Sequence, residues 1–241
     1  MSDSHFDDIA TVYDASLPEH VVEHYLRKRV AFLTAVCPAA GSVLDVGCGT
    51  GALAQRLAAR GHAVVGADPS EGMLEIMRGR APQVRAVRAS GTELPFQAGA
   101  FDLVVTVAAL HHIAAPEAVR ATLGEMVRVC RPGGRIVVWD HNHRNPYWSS
   151  LMARVPQDTG EERLVGAGEV IDGLIAGGAQ VLSCQQLGLV PEFTPRGAMR
   201  AAAVIERWFE RTPGVNGFAA HNVIVARPAR PPAAARVPVS G

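Results

Sequence analysis

Short apolar runs alternate along the chain with segments in which apolar positions recur at helical spacing. Ser42-Val43-Leu44-Asp45-Val46, His62 to Ala67, Val84 to Ala89, Phe101 to Val107 and Arg135 to Asp140 are runs of the first kind and predict strands. Glu19 to Cys37, Ala52 to Arg60, Ser70 to about Arg78 and Pro116 to Cys130 predict helices. Pro38 and Gly41 close the first helix and Gly61 caps the second. Ser70 can cap the third, and Pro116 is acceptable in the first turn of the fourth. Arg131-Pro132-Gly133-Gly134 reads as a turn. Strands such as Asp102-Leu103-Val104-Val105 are apolar on both faces, which predicts a parallel sheet covered by helices on both sides. After Asp140 the pattern weakens. Asn142 to Gly160 is polar and contains Pro, with Tyr147 and Trp148 inside it. A helix near Glu169 to Ala176, a strand near Val181 to Leu187, a helix near Ala198 to Glu210 and a strand near Asn222 to Ala226 follow. Trp208 and Phe209 fall in a helical pattern with Val204 and Ile205 and are read first as core, with a cap over the ligand side as the alternative. Arg227 to Gly241 is rich in Pro and Ala and predicts a mobile tail. There is no internal repeat.

Composition narrows the partners. The 241 residues carry 23 basic and 23 acidic side chains, so the formal net charge is zero. A sequence-nonspecific nucleic-acid binder needs a surplus of Lys and Arg to replace phosphate counterions. The balance argues against nucleic acid, and against an anionic membrane surface, as the main partner. Apolar residues at 48% and charged residues at 19% fit a globular chain. No apolar run approaches the ~20 residues that span a bilayer. Met1-Ser2-Asp3-Ser4-His5 lacks the basic region and apolar core of a secretory signal. Cys37, Cys48, Cys130 and Cys184 are scattered, with no C-x-x-C, and read as reduced, mostly buried thiols. The expectation is a cytoplasmic protein acting on something small, as a monomer or homodimer.

The most informative stretch is Val43-Leu44-Asp45-Val46-Gly47-Cys48-Gly49-Thr50-Gly51. Three glycines follow a buried strand and open a helix. Glycine tolerates positive φ and lets a ligand approach the backbone, and the helix start offers free N–H groups. The next strand ends in Gly66-Ala67-Asp68, where a carboxylate can accept hydrogen bonds from a ribose diol. The pairing points to an adenosine-containing cofactor. Gly47-x-Gly49-x-x-Ala52 also satisfies the loose nicotinamide-dinucleotide pattern. Asp45 separates the two options. An acid there is poorly placed near a pyrophosphate and well placed near an ammonium or sulfonium.

These residues resemble the class I S-adenosylmethionine-dependent methyltransferases. The resemblance is to the small-molecule subgroup with D-x-G-x-G-x-G and L-H-H motifs. It rests on Val43 to Gly51, Asp68-Pro69-Ser70, Leu94-Pro95-Phe96, Phe101-Asp102-Leu103-Val104 and Ala109-Leu110-His111-His112. It covers Phe6 to Asp140 well and the rest to Ala226 more loosely. It implies S-adenosyl-L-methionine as cofactor, with Asp45, Gly47, Gly49 and Gly51 by the methionine part and Asp68 on the ribose. Met73 covers the adenine. Ser90 stands where the family pattern has an acid on the adenine amino group, and the Gly91 N–H can serve a ring nitrogen. Val107 lines the same site. The implied fold is a Rossmann-like three-layer α/β sandwich, with a mostly parallel seven-stranded sheet and an antiparallel C-terminal strand. Residues 1–40 would form a helical lid, 41–226 the methyltransferase domain and 227–241 the tail.

The resemblance also places the acceptor. His111 and His112 follow the fourth strand, where an imidazole can take a proton from an acceptor hydroxyl. Tyr13 resembles a lid residue. His141, Asn142 and Arg144 begin the insert after the fifth strand and are candidate acceptor contacts. Arg154 and Arg163 are further arginines able to hold an acid, although solvated loop arginines look the same in sequence. If the fifth strand continues, His141 and His143 share a face and, with His111 or His112, could hold zinc, nickel or iron. Methyl transfer from a sulfonium needs no metal, so none is expected. The implied activity is methyl transfer to an O, C or N atom of a small metabolite in biosynthesis. The alternatives are a cofactor-binding protein of this fold with another use for its pocket, and a nicotinamide oxidoreductase.

Overall fold

The structure, a computed structural model, describes residues 3–152 and 162–229. Helices α1 (Asp3–Tyr13) and α2 (Glu19–Val36) precede strand β1 (Ser42–Val46). Then come α3 (Ala52–Ala58), β2 (Ala63–Asp68), α4 (Glu71–Arg80), β3 (Arg85–Arg88), β4 (Phe101–Val107), α5 (Pro116–Val129) and β5 (Cys130–His141). The C-terminal part holds α6 (Tyr147–Met152), α7 (Ala167–Ala176), β6 (Ala179–Leu187), α8 (Met199–Arg211) and β7 (His221–Pro228). The seven strands lie in the order β3-β2-β1-β4-β5-β7-β6, and β7 runs antiparallel to both its neighbours.

Alternation along each strand divides the core into two layers. Leu44, Val46, Val104, Ile136 and Val138 pack on one face, with Leu123 and Met126 of α5. Val43, Leu103, Val105, Val137 and Trp139 pack on the other, with Val30 and Leu33 of α2 and Leu57 of α3. The same alternation places Asp45 with Val43, on the α2 side. The chain goes from β1 outward to β2 and β3, then returns to β4 on the other side of β1. Crevices for ligands form at such a reversal, beyond the carboxyl ends of the strands. Asp45, Asp68, Val107 and His141 all stand at or next to those ends.

Several expectations shift. The C-terminal strand runs on to Pro228, because Arg227 and Pro228 pair with Gln180 and Ala179 of β6, so the first two residues of the expected tail are sheet. Residues 230–241 lie outside the described part. Trp208 is 65% exposed, not core, because α8 turns its charged residue Glu206 inward instead. The four cysteines are free, but Cys130 alone is buried and Cys184 is exposed. Among the described residues no helix is long and apolar enough to cross a membrane.

Candidate active site

Two cavities, of about 780 and 550 Å³, open at the carboxyl ends of the strands. Tyr13, Gly47, Gly49, Ala108 and His112 line both and form their common wall. The first cavity continues past Asp68, Met73, Ser90 and Gly91. The second continues past Asp45, Arg29, Val107, His111, His141 and His221.

The glycine loop is shaped by φ +71° at Gly47 and φ +51° at Gly49. A Cβ on Gly47 would stand 2.6 Å from the Cβ of Ala109. A Cβ on Gly49 would meet no atom within 4 Å, and Gly49 lines both cavities, so it would fill ligand space. Gly51 differs from expectation. It lines neither cavity; a Cβ there would stand 2.2 Å from Cγ of Met77, so this glycine lets α3 pack against α4. Asp68 holds the loop in place. Its Oδ2 accepts the Gly49 N–H at 2.8 Å and its Oδ1 accepts the Ser70 N–H at 3.0 Å. Ser70 caps α4 by accepting the Met73 N–H, and its hydroxyl donates to Oδ1 of Asp7 in α1 at 2.6 Å, which also accepts the Gly72 N–H at 2.8 Å. These bonds fasten α1, with Phe6 and Tyr13, across the first cavity. Ser90 closes a local turn through the Thr92 N–H and hydroxyl.

Asp45 is buried, and its Oδ2 has no hydrogen-bond partner among the described residues. Burial and the like charge of Asp68 raise its pKa to about 7, against the opposing charge of Arg29. A buried carboxyl with an unfilled oxygen calls for a donor or a cation. Arg29 lines the second cavity with its guanidinium near the rings of Tyr25 and Trp139, at 5.9 and 6.0 Å. Among the described residues its buried Nε has no hydrogen-bond partner, and burial lowers its pKa. Arg29 was not singled out in the sequence, where it resembles any helical arginine.

The structure separates His111 from His112. His111 is buried, with Nδ1 2.8 Å from Oδ1 of Asp140. Burial would raise the pKa of Asp140, but His111 and the N–H groups of His141 and Leu110 hold it below the ordinary carboxylate value. An ionised carboxylate only accepts, so Nδ1 of His111 carries a proton, and in the neutral imidazole Nε2 is then the nitrogen with the lone pair. Ala108 makes this placement possible. Its φ of +51° turns the chain out of β4 into the short 3₁₀ turn Leu110–His112. That conformation costs a non-glycine residue roughly 1 kcal/mol. His112 packs edge-on against Phe6, ring centroids 5.0 Å apart, and burial with the neighbouring His111 pushes its pKa down to about 3. Burial likewise lowers His221 to about 3 and holds His141 well below the usual histidine value. His112, His141 and His221 thus present neutral imidazoles to the second cavity, beside Tyr147 and Trp148. His141 stacks on Trp148 at 3.6 Å and on His111 at 4.0 Å.

The other candidates distribute as follows. His111, Asp140 and His141 could converge on an ion, with one ligand atom of each within 4.8 Å of the others. The expected partner His143 is not among them, because β5 ends at His141 and His143 is exposed. Three N–H groups, of Leu110, His111 and His141, already bond the Asp140 carboxylate there. Asn142 is buried but lines neither cavity. Its amide donates to the carbonyls of Gly217 and Ala219 and its Oδ1 accepts the Arg144 N–H, so it ties the insert to the segment before β7. Arg144 is exposed and also lines neither cavity. Arg163 pairs with Glu169 through two bonds, of 2.6 and 2.8 Å. Arg154 lies outside the described residues.

The strand order and the two joined cavities set a ligand crevice at the carboxyl ends of the strands, beside the glycine loop. Residues 43–134 match the family described as a methyltransferase domain. A demethylmenaquinone methyltransferase of Clavibacter sepedonicus is 42% identical over 137 residues, 55% of this chain and 55% of that relative. The match therefore spans little more than half of the relative's length. The CcbJ methyltransferase of Streptomyces caelestis has the same fold, with TM-score 0.69 and 18% identity, covering 95% of this chain and 100% of its own. The cyclase SpnF aligns with TM-score 0.61 and 22% identity, covering 84% of this chain and 81% of its own.

Proposed function

We propose that this protein transfers a methyl group from S-adenosylmethionine to a small, mostly apolar acceptor in the second cavity. The observation that carries the proposal is the common wall: a glycine-lined cradle and an imidazole-lined chamber meet at Gly47, Gly49, Ala108 and His112. When bound, the cofactor supplies an electrophilic methyl on a sulfonium. The residues fit it. The void over Gly49 accepts a close ligand, and the unfilled oxygen of Asp45 suits its ammonium. Asp68 would hold the ribose, and Met73, Ser90 and Gly91 the adenine. Arg29, the cation that lines the second cavity with Asp45, would take the carboxylate of the amino-acid head. A pyrophosphate would set negative charge beside Asp45, which disfavours a nicotinamide dinucleotide.

Tyr13, Val107, His141 and Trp148 would surround the acceptor, shed its water and fix its approach. His111 would act as base. Asp140 keeps the proton on Nδ1, so Nε2 is available for a proton leaving an acceptor hydroxyl. His112, held neutral, would serve as wall. The relative named for demethylmenaquinone supports a quinone-class acceptor, in keeping with the apolar chamber. The likeness to the cyclase SpnF is one of fold and gives no reason to prefer a non-methylating use.

Cofactor affinity should depend on pH through Asp45. In the free protein this carboxyl is protonated below about pH 7 and ionised above. A cation beside it favours the ionised form. Affinity should therefore fall as pH drops below about 7, by up to about tenfold per unit, with a proton released on binding. Calorimetry in buffers of different ionisation enthalpy measures both effects, and Asp45→Asn should abolish them.

A crystal structure with S-adenosylhomocysteine tests the proposed arrangement. The sulfur is expected at the common wall, facing His111. A sulfur facing away from the second cavity, or no polar side chain within ~4 Å of the methyl direction, would remove His111 from its role.

A further inference from the structure

Helix α8 is amphipathic in the opposite sense to a helix that packs on a core. Its acids face inward. Glu206 is buried and bonds His24 and Lys28, both at 2.9 Å, and the Leu189 N–H at 2.8 Å. Glu210 accepts the Gly188 N–H at 2.6 Å. Its large apolar side chains face outward: Val204, Ile205 and Trp208 are 57%, 56% and 65% exposed. At about 100° per residue, Arg200, Arg207 and Arg211 fall in one row beside this stripe. None of the three makes an ion pair among the described residues, whereas Arg196, just before the helix, pairs with Glu19 at 2.8 Å.

The stripe borders the proposed acceptor chamber. Phe209, on the inner side of α8, lines the second cavity, and so does Phe218, itself 56% exposed. Phe193 is 71% exposed and stands ring to ring with Tyr147, a residue of the cavity wall, at 6.2 Å. Pro191 and Glu192, next to it in sequence, line the same cavity. An exposed apolar patch of this kind at a cavity mouth marks an interaction surface.

We propose that α8, with Phe193 and Phe218, docks this protein on the surface of an anionic lipid bilayer. The apolar stripe would enter the acyl boundary and the arginine row would meet the headgroups, as in interfacial helices. The charge favours a bilayer over a second copy of the chain. A two-fold contact through this face would bring arginine rows together, with the acids of both helices turned away. The neutral total of the sequence concealed the patch, because the opposing charges on α8 lie on its inner side. Docking here would set the mouth of the second cavity against the lipid, where an apolar acceptor could enter without crossing water.

Co-sedimentation with vesicles tests this without cofactor or acceptor, so its failure leaves the proposed methyl transfer standing. The full chain is expected to bind vesicles of mixed phosphatidylcholine and phosphatidylglycerol, and far less those of phosphatidylcholine alone. Trp208 emission should shift to the blue on binding. The triple variant R200E/R207E/R211E should bind at least about tenfold more weakly. Ile205→Ser with Trp208→Ser should lose binding too. Circular dichroism shows that each variant is folded, since every side chain changed is exposed. Absence of binding by the unmodified chain overturns the proposal. So does a dimer in sedimentation equilibrium that the Ile205→Ser and Trp208→Ser changes dissociate, without vesicle binding.

Discussion

Replacing His111 by Ala, or Asp140 by Asn, is expected to lower kcat by about 10²–10⁴ while S-adenosylmethionine affinity changes only a few-fold. The reason is the pair itself. His111 and Asp140 are buried and 2.8 Å apart, and His111 lines the second cavity. Asn in place of Asp140 offers an amide that cannot secure the Nδ1 proton as a carboxylate does, so the basic nitrogen would no longer be fixed as Nε2. Because the two residues act as one unit, the double variant should be little worse than either single one. Single-turnover rates with the acceptor, beside calorimetric cofactor affinities, measure this. His112→Ala is expected to lower kcat less, since His112 contributes a wall and no poised proton acceptor. Equal losses at His112 and His111, or additive losses at His111 and Asp140, would count against the base assignment.

The largest effect on cofactor binding is expected at Asp68. Asp68→Ala should weaken S-adenosylmethionine by about a hundredfold or more. The carboxylate accepts the N–H groups of Gly49 and Ser70 at 2.8 and 3.0 Å, and each bond to a charged group contributes about 1.5–3 kcal/mol. Its loss removes an acceptor for the ribose and frees the glycine loop together. Asp68→Asn keeps one acceptor and should recover part of the affinity. Calorimetry gives the affinity, and a thermal melt shows whether the variant is folded. A folded Asp68→Ala protein with unchanged affinity would contradict the placement of the ribose.

The sheet was legible in the sequence because its signals are local. β1 and β4 have the bounds that their apolar runs predict, and Ser70 caps α4 as expected. The glycine loop was legible for the same reason, since its conformational demand is written in consecutive residues. What lay hidden depends on contacts between distant parts of the chain. Asp140 is 29 positions from His111 and becomes its partner only through the pairing of β4 with β5. Arg29 sits in an ordinary helical pattern, and only the position of α2 over β1 turns it toward Asp45. Periodicity gave the amphipathicity of α8 but not its sense, so Trp208 was assigned to the core. Asn142 and Arg144 were expected at the acceptor because they follow β5, yet the chain turns there to fasten the insert to the segment before β7.

The most direct test of the account uses S-adenosylmethionine labelled in its methyl group, with a panel of apolar quinols and phenols as acceptors. The expected result is label in the acceptor, equal amounts of S-adenosylhomocysteine, and loss of both in His111→Ala. Tight cofactor binding with no label in any acceptor, while the protein converts an acceptor by another reaction, would contradict it.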